Sequence, residues 1–393
     1  MDLVTFALVL VTAVAAVSLD TVWHQGDVIL ETVTTGPLGK TSIDSGLART
    51  IVEDEAAHVF ATPTLVSKPK LRWSNQGGIG AAIAEATGLQ RVAYAVQAQF
   101  GYSPDDYHLA LFSEDGQVKV LITGQSQRNP TGFSQVVVQQ PGESVVDLIR
   151  RATLVGLARI DPYLTALHLL EQPAAAGEHG HAESAHAESS GTESVGAESV
   201  IEPAMASLPD TPHNPQRALF ENLQGILALM HQDVEAANRA FQKAAASDPA
   251  NVAAALNLAF TEVQLGRHAA AAAHMRTLVE ANRPADKVLL ATAYVTWAAA
   301  RMGLQDMDGA EALVETAAGI NPESCSALEL WAELRTLKGD DSGAERLHLK
   351  ARESHSAFEN YAEIASLYFQ LAWRDHQKLT HSRYGNADTV SLR

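Results

Sequence analysis

The sequence predicts a small α+β domain followed by an all-α solenoid, with a single transmembrane helix at the N-terminus. Three observations support this assignment. A pattern of small residues recurs four times in the second half of the chain. The first half alternates β-rich stretches with stretches of helical periodicity. Residues 3–19 carry no charged side chain, which is typical of a segment that crosses a membrane.

The repeated pattern consists of a small residue within one apolar helix and an alanine anchor on the next helix. The anchors Ala237 and Ala271 are 34 residues apart, as are Ala310 and Ala344, and the middle interval is 39 residues. A period of this length, built from two helices, indicates a helical solenoid. Two helices cross closely only where their side chains are small, so the anchors mark predicted crossings. The matching small residues on the first helices are Gly225, Ala259, Ala298 and Ala332.

Further positions of each unit follow one frame of small, bulky and turn-forming residues. They are Gly225, Ala237, Phe241, Ala244 and Pro249, then Leu258, Ala259, Gly266, Ala271 and Met275, then Trp297, Ala298, Ala310, Val314, Ala317 and Pro322, and finally Trp331, Ala332, Gly339, Ala344 and Ala351. These units resemble tetratricopeptide repeats (TPRs), in an arrangement similar to that of bacterial membrane-anchored proteins. The resemblance implies a four-repeat array over residues 216–353 that binds partner proteins, with no catalytic residue, cofactor or metal.

The resemblance also implies a partner-binding groove, because the first helix of each TPR lines the concave face. The expected groove residues are Leu219, Asn222, Ile226, Leu229, Met230, Leu256, Phe260, Val263, Val295, Met302, Glu329 and Glu333. Chaperone-type TPRs clamp a terminal carboxylate with Lys and Asn, and the Lys residues are missing here. An apolar wall with an acidic end instead favours an amphipathic helix or an extended segment that carries some positive charge.

Two other occupants of the groove remain open from the sequence. The groove packs either on the chain's own C-terminal helix or on the array of a second copy, which would make a homo-oligomer. Residues 354–376 are predicted to supply that helix, placed as a cap on the last repeat because the end of a solenoid needs one. Residues 377–393 are predicted to be a flexible tail.

The α+β domain is predicted to cover residues 20–171. The expected strands are residues 27–34, 92–100, 107–112, 118–123 and 133–138. The expected helices are residues 43–60, 77–87 and 143–170. Residues Ser113 to Gly116 suit a hairpin turn, and Pro162 should kink or restart the last helix. Two groups come nearest to acid/base pairs. Asp106 and His108 could meet on one face of a strand, whereas Asp105 faces the other side. Asp161 and His168 lie two helical turns apart.

The ends of this domain carry two further predictions. Residues 1–19 are expected to be an uncleaved anchor, with a cleaved secretory signal or a buried helix as alternatives. Only two residues precede the apolar run, so the rest of the chain is expected in the periplasm, held at a bacterial inner membrane. Residues 172–215 are expected to be a disordered acidic tether, because glutamate recurs every five residues among few apolar side chains.

The composition argues against several kinds of binding site. A net charge of −18 argues against nucleic-acid binding, which needs clustered Lys and Arg. The single cysteine, Cys325, excludes an internal disulfide and a cysteine-ligated zinc site. The sequence therefore predicts a non-enzymatic, membrane-anchored scaffold or adaptor that binds proteins through the groove. The alternatives are a structural subunit of a larger membrane complex, and a small-molecule sensor or enzyme in residues 20–171 that the array regulates.

Overall fold

A computed structural model describes residues 28–35, 43–66, 68, 71–73, 105–126, 129–171, 196–209, 211–354 and 363–364. The chain divides into two compact units, one comprising Met1–Thr62 and Val66–Val200 and the other Pro63–Leu65 and Ile201–Arg393. The predicted anchor, the strand at 92–100, the helix at 77–87 and the tail at 377–393 lie outside the described residues. Within the described ranges, no helix has both the length and the apolar character needed to cross a membrane.

The first unit contains a sheet that has five strands within the described residues. These strands are β1 (Val28–Thr35), β2 (Leu71–Trp73), β3 (Asp105–Glu114), β4 (Gln117–Ser126) and β5 (Asn129–Val138). Their order is β2-β1-β3-β4-β5, in which β1 is parallel to both neighbours and β3, β4 and β5 are antiparallel. Asp115 and Gly116 join β3 to β4 with φ of 54° and 79°. Positive φ at both central residues matches the twist of a two-residue hairpin, which confirms the predicted turn.

Three helices accompany this sheet: α1 (Ser45–Ala61), α2 (Val145–Ile160) and α3 (Pro162–Glu171). Asp44 and Ser144 accept backbone N–H groups at the starts of α1 and α2, which stabilises each helix start by about 1 kcal/mol. The predicted break at Pro162 is confirmed, because a new helix begins at that residue. Proline has no N–H to donate, so the first position of a helix is where it fits.

The core of the first unit forms where α1 and α2 pack on one face of the sheet. Alternate residues of β3, including Tyr107 and Leu109, are buried against Ile122 of β4 and Leu148 of α2. The ring of Tyr107 occupies the space that a side chain at Gly156 would need, at 2.0 Å from an ideal Cβ. Its hydroxyl donates to the carbonyl oxygens of α2 at 3.2 and 3.3 Å, so the buried phenol is hydrogen-bonded.

A further helix, α4 (Ala197–Ser207), lies within the segment that was expected to be disordered. The prediction of disorder is therefore wrong for these residues. Ala197, Val200 and Ile201 are buried, so this end of the segment has the apolar area that the rest of it lacks. Residues 172–195 lie outside the described ranges.

Residues 215–353 of the second unit form four helix pairs. They are α5 (Pro215–Met230) with α6 (Val234–Ser247), α7 (Val252–Gln264) with α8 (His268–Ala281), α9 (Lys287–Gly303) with α10 (Met307–Ile320), and α11 (Cys325–Leu337) with α12 (Asp341–Glu353). The alanine anchors of all four pairs are buried, which confirms the predicted crossings. At Gly225 the ring of Phe241 lies 2.3 Å from an ideal Cβ.

The repeat is visible in the backbone as well as in the side chains. One residue with positive φ stands in the turn within each pair, and these residues are Gln232, Gly266, Gln305 and Gly339. Their spacing follows that of the alanine anchors. The longer middle interval arises because α9 has 17 residues where α7 has 13, and because the linker before α9 is one residue longer than the linker before α7.

The C-terminal cap predicted over residues 354–376 is wrong for the two residues of it that the structure describes after Ser354. Glu363 and Ile364 are not helical, and Ile364 belongs to the hydrophobic cluster of α7, α8 and α9 rather than to the last pair. Both residues are buried, with exposed fractions of 2% and 0%. Glu363 is a charged side chain, and a charged residue enters an interior only when it is hydrogen-bonded there.

Candidate functional site

The first helices of the four pairs form one continuous surface, here called the inner face. Each first helix contacts the first helix of the next pair: α5 with α7, α7 with α9, and α9 with α11. Contacts between successive second helices are fewer. A stack of helix pairs that is closer on one side curves towards that side, so the inner face is the concave side of the array.

Two asparagine side chains on the inner face hold the main chain of Glu363. Asn222 of α5 and Asn257 of α7 each donate a side-chain amide hydrogen to the carbonyl oxygen of Glu363, at 3.0 and 2.7 Å. Asn257 also donates to the side-chain oxygen of Asn222 at 2.9 Å. An amide group has two donor hydrogens, so both hydrogens of Asn257 are used, and the two side chains act as one unit.

The side chains of the held residues are recognised separately. The carboxylate of Glu363 accepts the backbone N–H of Leu65 at 3.0 Å and the hydroxyl of Thr64; both belong to the same compact unit as the array. Ile364 is fully buried in a cluster that includes Leu256 and Leu290. The inner face thus provides donors for a main-chain carbonyl, Thr64 and Leu65 provide donors for an acidic side chain, and the cluster of α7, α8 and α9 provides an apolar site for an aliphatic one.

Polar contacts inside the array position these asparagines. Behind Asn257, Thr261 donates to carbonyl oxygens of its own helix and accepts from Asn238 of α6 at 3.0 Å. Beside Asn222, the buried carboxylate of Glu221 accepts from Ser247 at 2.8 Å. These bonds link α5 to α6 and α6 to α7, so hydrogen bonds fix the relative positions of the helices that carry the two asparagines.

The array also pairs a histidine with a buried carboxylate. Nδ1 of His274 in α8 lies 2.8 Å from the buried carboxylate of Glu262 in α7. This hydrogen bond raises the pKa of His274 above the ordinary histidine value, because the carboxylate favours the protonated ring.

The twelve predicted groove residues differ in burial and in position. The structure brings Asn222 and Leu256 to the held segment. Ile226, Leu229 and Val295 are buried in the array itself, whereas Leu219, Phe260, Val263, Met302 and Glu329 are half-buried, and Met230 and Glu333 are exposed. Glu329 lies 2.6 Å from Nδ1 of His348 within the fourth pair. The role of these residues in binding a partner stays a prediction.

Sequence reasoning missed Asn257, the residue with the shortest bond to the held carbonyl. A signal was present, because Asn257 interrupts the apolar run from Val252 to Phe260. A lone amide within an apolar helix face needs a hydrogen-bond partner when it is buried. The sequence did not show what that partner is, because Glu363 lies more than a hundred residues further along the chain.

The described residues contain no group of three or more His, Cys, Asp or Glu side chains placed to hold a metal ion. Cys325 is buried at the start of α11, and its thiol lies 3.3 Å from the carbonyl oxygen of Ala351. The inner face therefore remains the candidate site.

Comparison with known proteins identifies the repeats. Residues 228–293 match a family model described as tetratricopeptide repeat. Tetratricopeptide repeats are therefore present within the array, which confirms the family suggested by the sequence. No curated protein matches the chain.

Several solved structures are similar to part of the chain. MamA 41-end from Desulfovibrio magneticus RS-1 is 19% identical, over 37% of this chain and 78% of that one, with a TM-score of 0.31. The first TPR of Spaghetti (RPAP3), solved with the HSP90 peptide SRMEEVD, is 22% identical, over 32% and 96%, with a TM-score of 0.29. The first TPR domain of human RPAP3 is 24% identical, over 34% and 98%, with a TM-score of 0.29.

Proposed function

We propose that this protein is a scaffold or adaptor whose tetratricopeptide array binds an extended segment of a partner protein on its inner face. One observation carries the proposal. Two buried side-chain amides, from Asn222 and Asn257, converge on a single main-chain carbonyl. A main-chain carbonyl is present in every polypeptide, so this pair recognises an extended chain rather than a particular side chain.

The geometry also makes such binding selective for segments that present a carbonyl at this position. A buried carbonyl without a donor costs roughly 1–3 kcal/mol, so only a segment that presents its carbonyl to both asparagines is well accommodated. Side-chain preference is then set by the apolar cluster around Leu256 and Leu290.

The polar side chains of the first unit support a scaffold rather than an enzyme. Asp161 accepts the backbone N–H of Leu164 at 3.0 Å and so caps α3. His168 pairs with the hydroxyl of Thr62 at 3.1 Å. Asp161 and His168, one of the two candidate acid/base groups, therefore have separate structural partners.

The membrane part of the proposal rests on the sequence alone. Residues 1–19 would hold the chain at a bacterial inner membrane, with both units in the periplasm, so that the array recruits its partners at the membrane surface. Cell fractionation followed by protease treatment of spheroplasts tests this, because a periplasmic array is digested while the inner membrane is intact. Protection of the array until the membrane is lysed would contradict it.

Peptide display tests the binding function directly. A library of random peptides is selected against the full-length protein, both as wild type and with Ile364→Asp, which weakens the hold on the chain's own segment. We expect enriched peptides whose binding to the Ile364→Asp protein falls at least about tenfold when Asn257→Ala is added, because the peptide carbonyl then loses a buried donor.

Gln264→Ala is the matched control for this experiment. Gln264 lies on the same helix as Asn257 but is exposed, so its removal should leave peptide binding unchanged. Circular dichroism checks that every variant keeps its helices. If neither form of the protein enriches any peptide, or if Asn257→Ala has no effect, the inner face is not the binding site.

A further inference from the structure

Part of the same chain already occupies the inner face. This segment shows which chemistry the site binds, and it competes with any partner for the site. We infer that the segment that carries Glu363 and Ile364 is a displaceable internal ligand, and that partners bind by presenting the same chemistry: an accessible main-chain carbonyl on an acidic residue that is followed by an aliphatic one. This inference rests on the proposed function and names the partner class of the same site.

The hydrogen bonds show that the held segment is bound as a ligand would be. Its main chain contributes the carbonyl of Glu363, which accepts from Asn222 and Asn257, two residues of successive repeats. These contacts are made with helices α5 and α7, at the opposite end of the array from α12, the helix that the segment follows in the chain. A segment that only continued the solenoid would instead pack on α12.

The side chains show what the site selects. Glu363 and Ile364 are buried to 2% and 0% exposure, so the site encloses both side chains. One oxygen of the acidic side chain accepts from Thr64 and Leu65, and the aliphatic side chain joins the cluster of α7, α8 and α9.

This proposed partner class differs from the one that the sequence favoured, which stays a prediction. The apolar wall and acidic end suggested a segment with some positive charge. The donors that contact Glu363 are two side-chain amides, a hydroxyl and a backbone N–H, all of which favour an acceptor. Because the acidic end predicted at Glu329 and Glu333 belongs to α11, it lies away from α5 and α7, where the segment is held.

Occupancy by the internal segment lowers the apparent affinity for any partner. A site that is open in only a fraction of molecules binds a ligand more weakly by the reciprocal of that fraction. The internal segment is tethered, so it competes at a high effective concentration. Release of the segment, by a change elsewhere in the chain or by a competing partner, then switches the array to its binding state.

A labelled peptide that spans residues 358–370 of this sequence is the probe for the test. Fluorescence anisotropy measures its binding to full-length wild type and to full-length Ile364→Asp. We expect the Ile364→Asp protein to bind at least about tenfold more tightly than wild type. Adding Asn257→Ala to that protein should remove most of the gain, and a peptide with the same Ile364→Asp change should not bind.

A second measurement covers the case in which Ile364→Asp fails to fold. Hydrogen exchange of the wild-type protein should show protected amides at Glu363 and Ile364, and an excess of the unlabelled peptide should remove that protection without affecting α9 or α10. Exchange that stays protected in saturating peptide would overturn the idea of a displaceable ligand.

The remaining outcomes separate the possible failures. Equal binding of the peptide to wild type and Ile364→Asp would overturn the inference while leaving the proposed function standing. Displayed peptides that bind the inner face without any acidic–aliphatic pair would likewise overturn only the partner class. If wild type is an oligomer and Ile364→Asp is a monomer by analytical ultracentrifugation, the segment is exchanged between copies and is not an internal ligand.

Discussion

The two units of this chain are stabilised over different distances along the sequence. In the first unit, β1 pairs with β3, whose residues lie more than seventy positions later, and one cluster joins α1, α2 and the sheet. In the array, each helix pair packs mainly on the next pair, and the hydrophobic clusters are correspondingly local. A closed core ties all its elements together, whereas stability in a solenoid is approximately a sum over neighbours.

This difference indicates which parts of the chain can move without unfolding the rest. Loss of a contact in the first unit removes support from every element that shares its core. Loss of a contact in the array is expected to loosen one pair and its neighbours while the distant pairs persist. A binding face built from successive pairs can therefore open at one end, where the internal segment is held, without unfolding as a whole.

The largest effect should come from removing a buried ring in the array. Phe241→Ala leaves a cavity beside Gly225 and should cost roughly 3–5 kcal/mol. Hydrogen exchange should rise in α5, α6 and α7 and change much less in α11 and α12. The matched change in the first unit is Ile122→Ala, which should raise exchange in β3, β4, β5 and α2 together. A uniform rise across all eight helices of the array would remove the distinction between the two units.

An intermediate effect should follow from adding one methyl group at each close crossing. Gly156→Ala places a Cβ against the ring of Tyr107, and Gly225→Ala places one against the ring of Phe241. Each should destabilise its own unit by about 1–3 kcal/mol, measured by denaturant unfolding. Gly319→Ala is the control, because open space surrounds that helical position, and it should stabilise by roughly 0.5–1 kcal/mol. Equal results at the three positions would mean that the crossings are not tight.

The smallest effect should be a difference in response to pH. Burial, with a minor contribution from His58, lowers the pKa of His168 below the ordinary value of 6.5, whereas the bond to Glu262 raises that of His274. Protons therefore favour the unfolded state of the first unit, which loses stability as the pH falls from 6.5 towards the folded pKa of His168. The His274 contribution is fully present below 6.5 and is lost as the pH rises through its raised folded pKa.

Proton NMR titration of the two rings measures this directly, and hydrogen exchange compares the two units at pH 7.5 and 5.5 after correction for intrinsic rates. His274→Gln should remove the gain of the array at low pH and leave the first unit unchanged. Titration of both rings at the ordinary histidine value would contradict the assignment.

The sequence predicted features that depend on near neighbours. The hairpin at Asp115 and Gly116, the restart at Pro162 and the four alanine anchors are all confirmed. Each follows from a local rule of backbone conformation or from a short period. The helix at Ala197–Ser207 was missed because the composition of the whole segment outweighed the few apolar residues at its end.

The candidate site could be predicted only in part, because its contacts join residues that lie far apart in the sequence. Asn222 follows from the family frame, but its role depends on Asn257 and on Glu363, which lies 141 positions further along the chain. The short strand Leu71–Trp73 was not predicted at all, and its place in the sheet comes from pairing with β1. No local period marks contacts of this kind.

The sequence by itself determined the class of each unit and the spacing of the repeats, because turn chemistry, alternation and small-residue crossings act over a few tens of residues. The tertiary structure decided which chain occupies the inner face and in which direction the asparagine amides point. Those outcomes depend on groups that meet only after the array has stacked, when a buried carbonyl must find donors or remain unsatisfied.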